Sequence, residues 1–569
     1  MRHLRWQALI ALMGLILVGS ILLRPASRDT TVIVTQPTPG GLYTEALVGS
    51  PKRLNPLLIF ANPVDRDVSR LVFSGLTRFD ATGLPTPDLA NWNISADQKT
   101  YTFILKPNLT WHDGQPLTAR DVAFTLKLLQ DPLYPGPADV GRLWQAVTVQ
   151  VVNTQTVTLT LPEPFAPFLD YTAVGFLPEH RLTGLTAAQL PNGDFNLNPI
   201  GSGPFKVERW LETSAGVTAL LLTRFADYIG PQPKLDQVQF NFYADEAAAL
   251  AAYKNGDVLG LGQLADAQLA EALALPDLGL YSALEPEYSL IFLNMQNEAL
   301  PFFQDKKVRQ ALLLGLNRQA MVNKILHGQA VVANSPILPT SWAYNAGLPT
   351  LAYDPKAAAS LLDAAGWVFP SDALPGTETY VRQKEGVPIS FTLTLSDEAV
   401  HTAIAETARA TWAALGIRVQ IQAAPLARLR ADYLEPRPRV FDAILVDFNL
   451  AGTPDPDPYP LWHETQAESG QNYSGLSDRA ISQYLEQARI TTDVVARAQL
   501  YRSFQARFAD QVPALLLYYP VYNYAVDTGV NDVRLGWLTD PSDRFATLSD
   551  WYLLTTSRIV ELPEGTPPP

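Results

Sequence analysis

The chain has 569 residues, of which 47% are hydrophobic and 10% aromatic, so it can bury large cores and is long enough for several domains. Its formal net charge of −14 argues against general nucleic-acid binding, which needs clustered Lys and Arg against phosphate. The absence of cysteine excludes disulfides, thiolate metal sites, cysteine nucleophiles and a lipid anchor attached to cysteine.

Residues 1–27 carry the targeting information. Arg2 and Arg5 precede an apolar run from Trp6 to Leu23. A positive flank before an apolar run is typical of an export signal, and a run of about 18 residues is also the lower limit for a membrane span. We expect either an uncleaved membrane anchor, with the bulk of the chain outside the cell, or a cleaved signal peptide.

Strand and helix signals then alternate without a long linker. Thr44–Val48 and Val238–Tyr243 have strand character, and the alternation in Val147–Leu161 predicts a hairpin. The Ala-rich segment Glu246–Lys254 predicts a helix that follows Asp245. This succession of strands and helices favours an α/β fold.

Further helices are indicated by caps and apolar stripes. Thr118 with Asp121 three residues later is an acidic variant of the capping box. Lys306–Leu326 is expected to form one continuous helix. The α/β pattern continues with these strands and helices: Phe391–Leu395, His401–Leu415, Val419–Gln422 and Ala443–Phe448.

Four long motifs occur in a recognisable order. They are FSGLTRFD at 73–80, PDLANWNIS at 87–95, YTFILKPNLTWHDGQPLTARDVAFTL at 101–126 and PIGSGPFKVERW at 199–210. Together they resemble the signature region of the family 5 solute-binding proteins, which are the peptide-, nickel- and sugar-binding receptors of ABC importers. The resemblance covers roughly residues 40–555 and implies a binding protein.

The resemblance also implies the architecture: an α/β, two-lobed periplasmic-binding-protein-like fold with mixed sheets, a hinge between the lobes and a subdomain inserted in the first lobe. The ligand-binding part is expected to be monomeric. The implied division is 1–27 signal or anchor, 28–41 linker, 42–74 with 199–286 and 528–560 lobe I, 75–198 inserted subdomain, 287–527 lobe II, and 561–569 Pro-rich tail.

A loop with two carboxylates is the main candidate for ligand contact. Gly452–Trp462 reads GTPDPDPYPLW, and its prolines predict a stiff, non-helical loop. In the family, an acidic residue of the corresponding region salt-links the α-amino group of a bound peptide, and the resemblance implies Asp455 or Asp457 for that role. The alternatives are a solvated polar turn and a calcium loop, although the alternating prolines conflict with an EF-hand.

The nature of the ligand is open at this stage. Relatives that clamp short peptides often supply an arginine just upstream of the acidic loop, but Ile444–Asp447 contains none. This favours longer peptides, or a cationic or neutral solute, over a tightly clamped dipeptide. Arg428 and Arg430 are nearby in sequence.

Other lining candidates are aromatic and polar residues. Phe60, Ala61 and Asn62 align with a segment that pairs with peptide backbone in relatives. Simple packing against the core would explain each of the other candidates as well as ligand contact does. The turn at Trp111 and His112 is interpreted as structural. The remaining candidates for the cavity wall are Tyr288, Trp462, Asn472 and Tyr473.

Enzyme signatures are missing from the sequence. The six histidines show no H-x-x-x-H spacing, and neither a G-x-S-x-G elbow nor a G-x-x-x-x-G-K-[ST] phosphate loop occurs. We therefore predict a non-enzymatic, extracytoplasmic receptor without a cofactor or metal, which captures peptides and delivers them to permease subunits with separate ATPases. The alternatives are a receptor for an oligosaccharide or metal chelate, and a membrane-tethered sensor or interaction protein with the same fold.

Overall fold

The structure is a computed structural model that describes residues 11–14, 16, 31–214, 216–452 and 455–561. The predicted signal or anchor segment and the Pro-rich tail lie almost wholly outside these residues. Within the described ranges, no helix combines the length and the apolar character that a membrane span requires. The strands are β1 (Thr31–Thr38), β2 (Leu42–Val48), β3 (Thr77–Phe79), β4 (Pro85–Pro87), β5 (Ala90–Ile94), β6 (Thr100–Leu105), β7 (Thr148–Asn153), β8 (Thr156–Thr160), β9 (Phe205–Thr213), β10 (Gly216–Arg224), β11 (Gln237–Tyr243), β12 (Gly260–Leu261), β13 (Leu278–Leu284), β14 (Glu287–Leu293), β15 (Ala330–Val332), β16 (Gln383–Lys384), β17 (Val387–Pro388), β18 (Ser390–Ser396), β19 (Arg418–Ala424), β20 (Ala443–Asn449), β21 (Ala514–Asp527) and β22 (Leu554–Glu561).

The helices lie between and around these strands, and several short 3-10 turns connect them. The helices are α1 (Pro63–Val72), α2 (Ala119–Gln130), α3 (Ala138–Gln145), α4 (Phe168–Tyr171), α5 (Glu179–Leu182), α6 (Glu246–Lys254), α7 (Asp266–Ala272), α8 (Lys306–Leu314), α9 (Arg318–Lys324), α10 (Pro355–Ala364), α11 (Ala399–Ala414), α12 (Leu426–Leu429), α13 (Tyr459–Trp462), α14 (Gln466–Ser469), α15 (Arg479–Ile490) and α16 (Val494–Gln511).

One large mixed sheet organises the molecule, in the order β19-β18-β20-β14-β21-β12-β2-β11-β10-β9, with β13 and β15 also paired to β21. β2 runs parallel to β11 and β12, and β18 runs parallel to β19 and β20, whereas the other pairs of this sheet are antiparallel. We call the part around β2 and β9–β13 lobe I, and the part around β14, β15 and β18–β20 lobe II. The predicted α/β class with mixed sheets is confirmed.

The chain crosses between the lobes in two neighbouring segments of the described region. One is the step from β13 to β14, and the other is β21, which pairs with β14 near Tyr518 and with β13 from Val521 onwards. Glu285 N donates to Pro520 O across the two crossings at 2.9 Å. Each crossing contains a proline, Pro286 or Pro520, which lacks a backbone donor. A few crossing residues between two separately packed lobes form the usual basis of a hinge.

The inserted subdomain is built on a four-stranded antiparallel sheet in the order β5-β6-β8-β7, with α2 and α3 beside it. β7 and β8 confirm the predicted hairpin. Thr118 caps α2 as predicted, since Asp121 Oδ2 accepts from the Thr118 backbone N–H at 2.8 Å. The core of this subdomain, around Trp111 and Trp144, is continuous with that of lobe I around Trp551. The subdomain is therefore packed firmly onto lobe I.

The turn at Trp111 and His112 has the structural role that the sequence indicated. His112 Nδ1 accepts from Gly201 N at 3.2 Å, and Nε2 donates to Gly203 O at 3.1 Å. Burial lowers the pKa of His112 to about 4, so the ring is neutral as this pairing requires. A Cβ on Gly201 would lie 1.9 Å from Val72 O. The motif at 199–210 therefore needs glycine because it packs directly on the end of α1.

A buried ion-pair network ties the C-terminal part of the chain to lobe I. Arg544, which is fully buried, donates from Nη2 to Glu45 Oε1 at 2.7 Å and from Nη1 to Asp67 Oδ1 at 2.6 Å. The segment just before it, Trp537–Thr539, reaches the space between the lobes. The network thus helps to hold Trp537–Thr539 in place, and this segment forms part of the wall of the cavity described below.

Two sequence predictions are wrong. Lys306–Leu326 is not one helix, because Asn317 caps a new helix, α9, by accepting from Ala320 N at 3.0 Å. The Asn side chain competes locally with helix continuation, and both helices bury the same side, so the apolar stripe hides the break. The predicted linker 28–41 contains β1, which pairs with β22 along its whole length. Its partner lies at the far end of the sequence, where local patterns cannot reveal it.

Candidate ligand-binding site

A cavity of about 790 Å³ lies between the inserted subdomain, lobe I and lobe II. Its lining residues come chiefly from segments within 139–171, 286–288, 336–341, 430–473 and 537–539. The walls therefore belong to both lobes, so that a bound molecule would contact both. Concave sites of this volume, bounded by separately packed units, are typical positions for small-ligand binding.

Asp455 lines this cavity but is already paired. Arg497 Nη2 donates to Asp455 Oδ1 at 2.7 Å, and Arg497 Nη1 donates to Oδ2, which makes a bidentate pair. Tyr501 also donates to Asp455 Oδ1, at 3.5 Å. Although burial disfavours a charged guanidinium, the Asp455 carboxylate raises the pKa of Arg497 above its usual value. Burial raises the pKa of Asp455 while Arg497 acts to lower it, and the bidentate geometry is that of an ion pair, so the charge of Asp455 is compensated within lobe II.

Asp457 is paired in a similar way. Arg489 Nε donates to Asp457 Oδ2 at 2.7 Å, and the guanidinium lies 3.7 Å from the ring centroid of Tyr459. Inside the loop, Asp457 N donates to Asp455 Oδ1 and Tyr459 N donates to Asp457 Oδ1. Over Asp455–Pro458 the loop is non-helical, as predicted, and it then enters the single turn α13. Neither carboxylate is solvated, and contact of either with ligand stays a prediction.

Two predicted aromatic residues also line the cavity. Tyr288 stacks on Phe448 with ring centroids 5.8 Å apart, and Tyr473 lies under the guanidinium of Arg439 at 4.7 Å from the ring centroid. Both residues are almost fully buried, so that they expose little of their rings to the cavity. Their contact with ligand likewise stays a prediction.

Two other predicted residues lie behind the cavity wall. Trp462 is fully buried and packs edge-on against Phe508, with ring centroids 4.7 Å apart. Asn472 is also fully buried, and its amide donates to His463 O and Leu476 O. The structure places neither of them among the residues that line the cavity. Both support the wall from within lobe II.

The predicted segment Phe60, Ala61 and Asn62 lies elsewhere in lobe I. Phe60 and Ala61 belong to a 3-10 turn, and Asn62 caps α1 by accepting from Val64 N at 3.1 Å. None of the three lines the cavity. A turn offers no strand edge for β-type pairing with a peptide, so their role in binding remains a prediction without geometric support.

Several lining residues were not foreseen from the sequence. Phe165, Asp170 and Tyr171 come from the subdomain, and all three line the cavity. Arg142 on α3 also lines it, is exposed, and makes no ion pair or hydrogen bond with any described residue. The one available signal was Asp170 itself, a charge within the apolar segment FAPFLDY, because charged residues are seldom buried without a partner.

Direct contacts join the subdomain to lobe II beside the cavity. Gln98 Oε1 accepts from Thr492 Oγ1 at 2.9 Å and from Thr492 N at 3.3 Å. Ala166 N donates to Arg489 O at 2.6 Å, and the guanidinium of Arg489 lies 5.7 Å from the ring centroid of Phe165. These contacts hold the lobes together around the cavity.

A histidine network lies in lobe II close to the crossing strands. His401 Nε2 donates to Asp447 Oδ2 at 3.0 Å, and Nδ1 lies 2.6 Å from Ser396 Oγ, which in turn donates to Glu398. Ser396 is fully buried, whereas Glu398 and Asp447 reach the surface. Although burial opposes it, hydrogen bonding to Asp447 raises the pKa of His401. Burial and the neighbouring Asp447 raise the pKa of Glu287 to about 7.

Among the described residues, no group of three or more His, Cys, Asp and Glu side chains is placed to hold a metal ion. The cavity instead combines aromatic surface with carboxylates and guanidinium groups. The fold of the chain and the position of this cavity between the lobes define a two-lobed solute-binding protein.

Sequence comparison gives the family. A model of the bacterial extracellular solute-binding proteins, family 5 (middle region), matches residues 85–471. The chain therefore belongs to family 5 of the bacterial extracellular solute-binding proteins, and the family resemblance noted from the sequence motifs is confirmed.

Relatives extend over most of the chain. The oligopeptide-binding protein AppA of Bacillus subtilis is 28% identical over 529 residues, covering 91% of this chain and 92% of the relative. The dipeptide-binding protein of Escherichia coli is 28% identical over 498 residues, covering 82% and 87%. The solved structure of B. subtilis AppA with a nonapeptide is 26% identical, covers 91% of this chain and 100% of that chain, and superposes with a TM-score of 0.65. The predicted two-lobed fold is thereby confirmed.

Proposed function

We propose that this chain is the extracytoplasmic receptor of an ABC importer, that it captures peptides in the cavity between its lobes, and that it delivers them to a membrane permease driven by separate ATPases. The proposal includes no covalent chemistry. It is supported by family membership and by relatives that are named as oligopeptide- and dipeptide-binding proteins.

The lining of the cavity is the observation that carries the choice of peptide. Acidic and basic side chains stand on the same cavity, including Asp170, Arg142 and Arg437, next to aromatic surface from Phe165 and Tyr171. A peptide carries an ammonium group, a carboxylate and apolar side chains, whereas a neutral oligosaccharide carries no charge for these groups to bind. Charge-assisted hydrogen bonds in a closed site give both affinity and orientation. The volume of about 790 Å³ suits a short peptide.

The expected location and domain organisation belong to the same proposal. Residues 1–27 would tether the receptor to the outer face of the membrane or be removed during export. Lobe I, the inserted subdomain and lobe II would then close on the ligand by rotation at the two crossing strands. Mass spectrometry of the purified protein would distinguish a retained from a cleaved N-terminus.

A thermal-shift screen of the full chain in mild detergent tests the ligand class. The panel contains peptides of two to eight residues, neutral oligosaccharides, and nickel with and without histidine. A ligand that binds only the folded protein stabilises it by mass action and so raises its melting temperature. At a ligand concentration of about a hundred times Kd, the free energy of unfolding rises by about 2.7 kcal/mol. We expect free peptides to raise it in a saturable manner. The matched control is the same panel with the free amino acids of each peptide.

The outcomes separate the alternatives. A shift with oligosaccharides or with nickel–histidine, but with no peptide, would replace the peptide assignment and keep the receptor. Uptake of a labelled peptide by cells with and without this receptor then separates transport from sensing. A sensor would bind the peptide without increasing its uptake.

A further inference from the structure

One buried carboxylate of the cavity has no hydrogen-bond or ion-pair partner among the described residues. Asp170, in the short helix α4 of the inserted subdomain, is 9% exposed and lines the cavity. Its side chain forms neither a hydrogen bond nor an ion pair with any described residue, and the charges nearest to it are Asp455 and Arg497 of lobe II. A buried carboxylate without a hydrogen-bond partner is costly, so a cation that reached Asp170 from the cavity would stabilise its charged form.

The other buried carboxylates at this end of the cavity are compensated. Asp455 is held by both Nη atoms of Arg497, and Asp457 is held by Arg489. Each pair is formed within lobe II and sums to zero charge. Asp170 therefore has no cation of its own among the described residues, and the nearby Arg497 is already engaged by Asp455.

We propose that Asp170 is the residue that binds an ammonium group of the ligand and thereby selects peptides with a free amino group. The proposal rests on the proposed function as a peptide receptor. The ammonium is supplied either by the peptide N-terminus or by a lysine side chain. A charge-assisted hydrogen bond from this group gives Asp170 the partner that the described residues do not provide.

The electrostatics of the site support this assignment. Burial, and secondly the Asp455 carboxylate, raise the pKa of Asp170 well above its usual range. Both effects are penalties on the charged carboxylate, and a cation placed against it offsets both. The aspartates of the loop offer no comparable gain, because a ligand ammonium would have to displace an arginine from either of them.

Isothermal titration calorimetry on the full chain tests the proposal with three probes: trialanine, N-acetyl-trialanine and N-acetyl-Ala-Lys-Ala. The variant is Asp170→Asn, which keeps the shape and removes the charge. The matched control is Glu163→Gln, which removes an exposed carboxylate of the same subdomain that does not line the cavity. Asp170→Ser serves as a second variant, and the melting temperature without ligand verifies that each protein is folded.

We expect Asp170→Asn to weaken binding of the probe that carries the recognised ammonium at least about tenfold, or about 1.4 kcal/mol, whereas Glu163→Gln changes that binding less than about twofold. Loss of trialanine binding on N-acetylation assigns the N-terminal ammonium. Retained binding of N-acetyl-Ala-Lys-Ala, but not of N-acetyl-trialanine, assigns the lysine ammonium. Asp170→Asn should be at least as heat-stable as the native protein, because it removes a buried charge that Asp455 repels.

Two results overturn the proposal, and they differ. If the native protein binds the probes and Asp170→Asn and Asp170→Ser bind them equally well, Asp170 is not the ammonium site, while the receptor function stands. If no peptide of the panel binds the native protein, the proposed function fails, and this inference fails with it.

Discussion

Replacing Asp455 by Asn should destabilise the protein before any ligand is involved. Asp455 and Arg497 expose only 9% and 6% of their side chains, so solvent screens their interaction little. Asn keeps the volume of Asp but leaves the guanidinium buried without a counter-charge. Removing one partner of a buried ion pair typically costs about 3–5 kcal/mol of folding free energy. Tyr501 and the backbone of the loop would lose contacts at the same time.

The neighbouring pair gives an internal comparison. Arg489 is 29% exposed and holds Asp457 through a single hydrogen bond of 2.7 Å. Asp457→Asn should therefore cost only about 1.5 kcal/mol, the lower end of the range for hydrogen bonds to charged groups. A double variant, Asp455→Leu with Arg497→Met, removes both charges together. It should recover most of the lost stability, because buried pairs are often replaceable by apolar residues of similar volume.

Urea unfolding of the ligand-free full chain, followed by tryptophan fluorescence, measures these differences. We expect the order native, Asp457→Asn, Asp455→Asn from most to least stable, with the double variant close to the native protein. If Asp455→Asn lies within about 0.5 kcal/mol of the native protein, the reasoning is refuted. The ion pair would then contribute nothing, and Asp455 would be free to bind ligand. Thermal-shift screens with these variants therefore need the ligand-free melting temperature of each variant as their baseline.

Further predictions concern closure, pH and packing. Gln98→Ala removes two hydrogen bonds between the subdomain and lobe II. It should weaken peptide binding about threefold and increase the radius of gyration of the ligand-free protein in X-ray scattering. The midpoint of urea unfolding should not fall. The pKa of Glu287 rises in the folded protein to about 7, and that of His401 is also raised, so both groups bind protons more tightly when folded. These two groups should thus lower the free energy of unfolding as pH rises from about 4.5 to 8. Glu287→Gln should remove its part of this loss and stabilise the protein at about pH 8 relative to the native chain, as measured by urea titrations across pH. An unchanged slope would contradict this assignment. Gly201→Ala should cost about 1–3 kcal/mol, because its Cβ would meet a backbone oxygen at 1.9 Å, and a native-like melting temperature would show that the backbone can move aside.

Local signals predicted local structure well. The helix Glu246–Lys254 has the bounds that the sequence indicated, because Asp245 caps it by accepting from Ala248 N at 2.8 Å. The same reasoning failed at Lys306–Leu326, where an internal Asn cap starts a second helix on the same buried face. Periodicity reports which side of a segment is buried, and two helices in series can share that side.

The candidate site was predicted only in part, because its energetics depend on residues far apart in sequence. Asp455 and Asp457 were identified from the loop itself, but their arginine partners follow 42 and 32 residues later, on other helices. Nothing in the loop sequence shows whether its carboxylates are free. The cavity wall that Asp170 contributes belongs to the subdomain, and only the folded chain brings it opposite that loop.

This arrangement links ligand chemistry to closure. Asp170 stands on the subdomain, whereas the Asp455–Arg497 pair stands on lobe II, so rotation at the crossing strands would separate the two faces. Closure alone brings the carboxylate of Asp170 toward that of Asp455 and away from water, and both changes disfavour the closed form. A ligand ammonium between the two faces reverses the sign of this interaction. A ligand shifts a conformational equilibrium only by its difference in affinity for the two states. Here the difference in affinity between the open and the closed form comes from the charge of the ligand ammonium. Peptides with a free ammonium should therefore close the lobes, whereas their neutral analogues should bind without closing them, and the radius of gyration with saturating trialanine or N-acetyl-trialanine measures the difference.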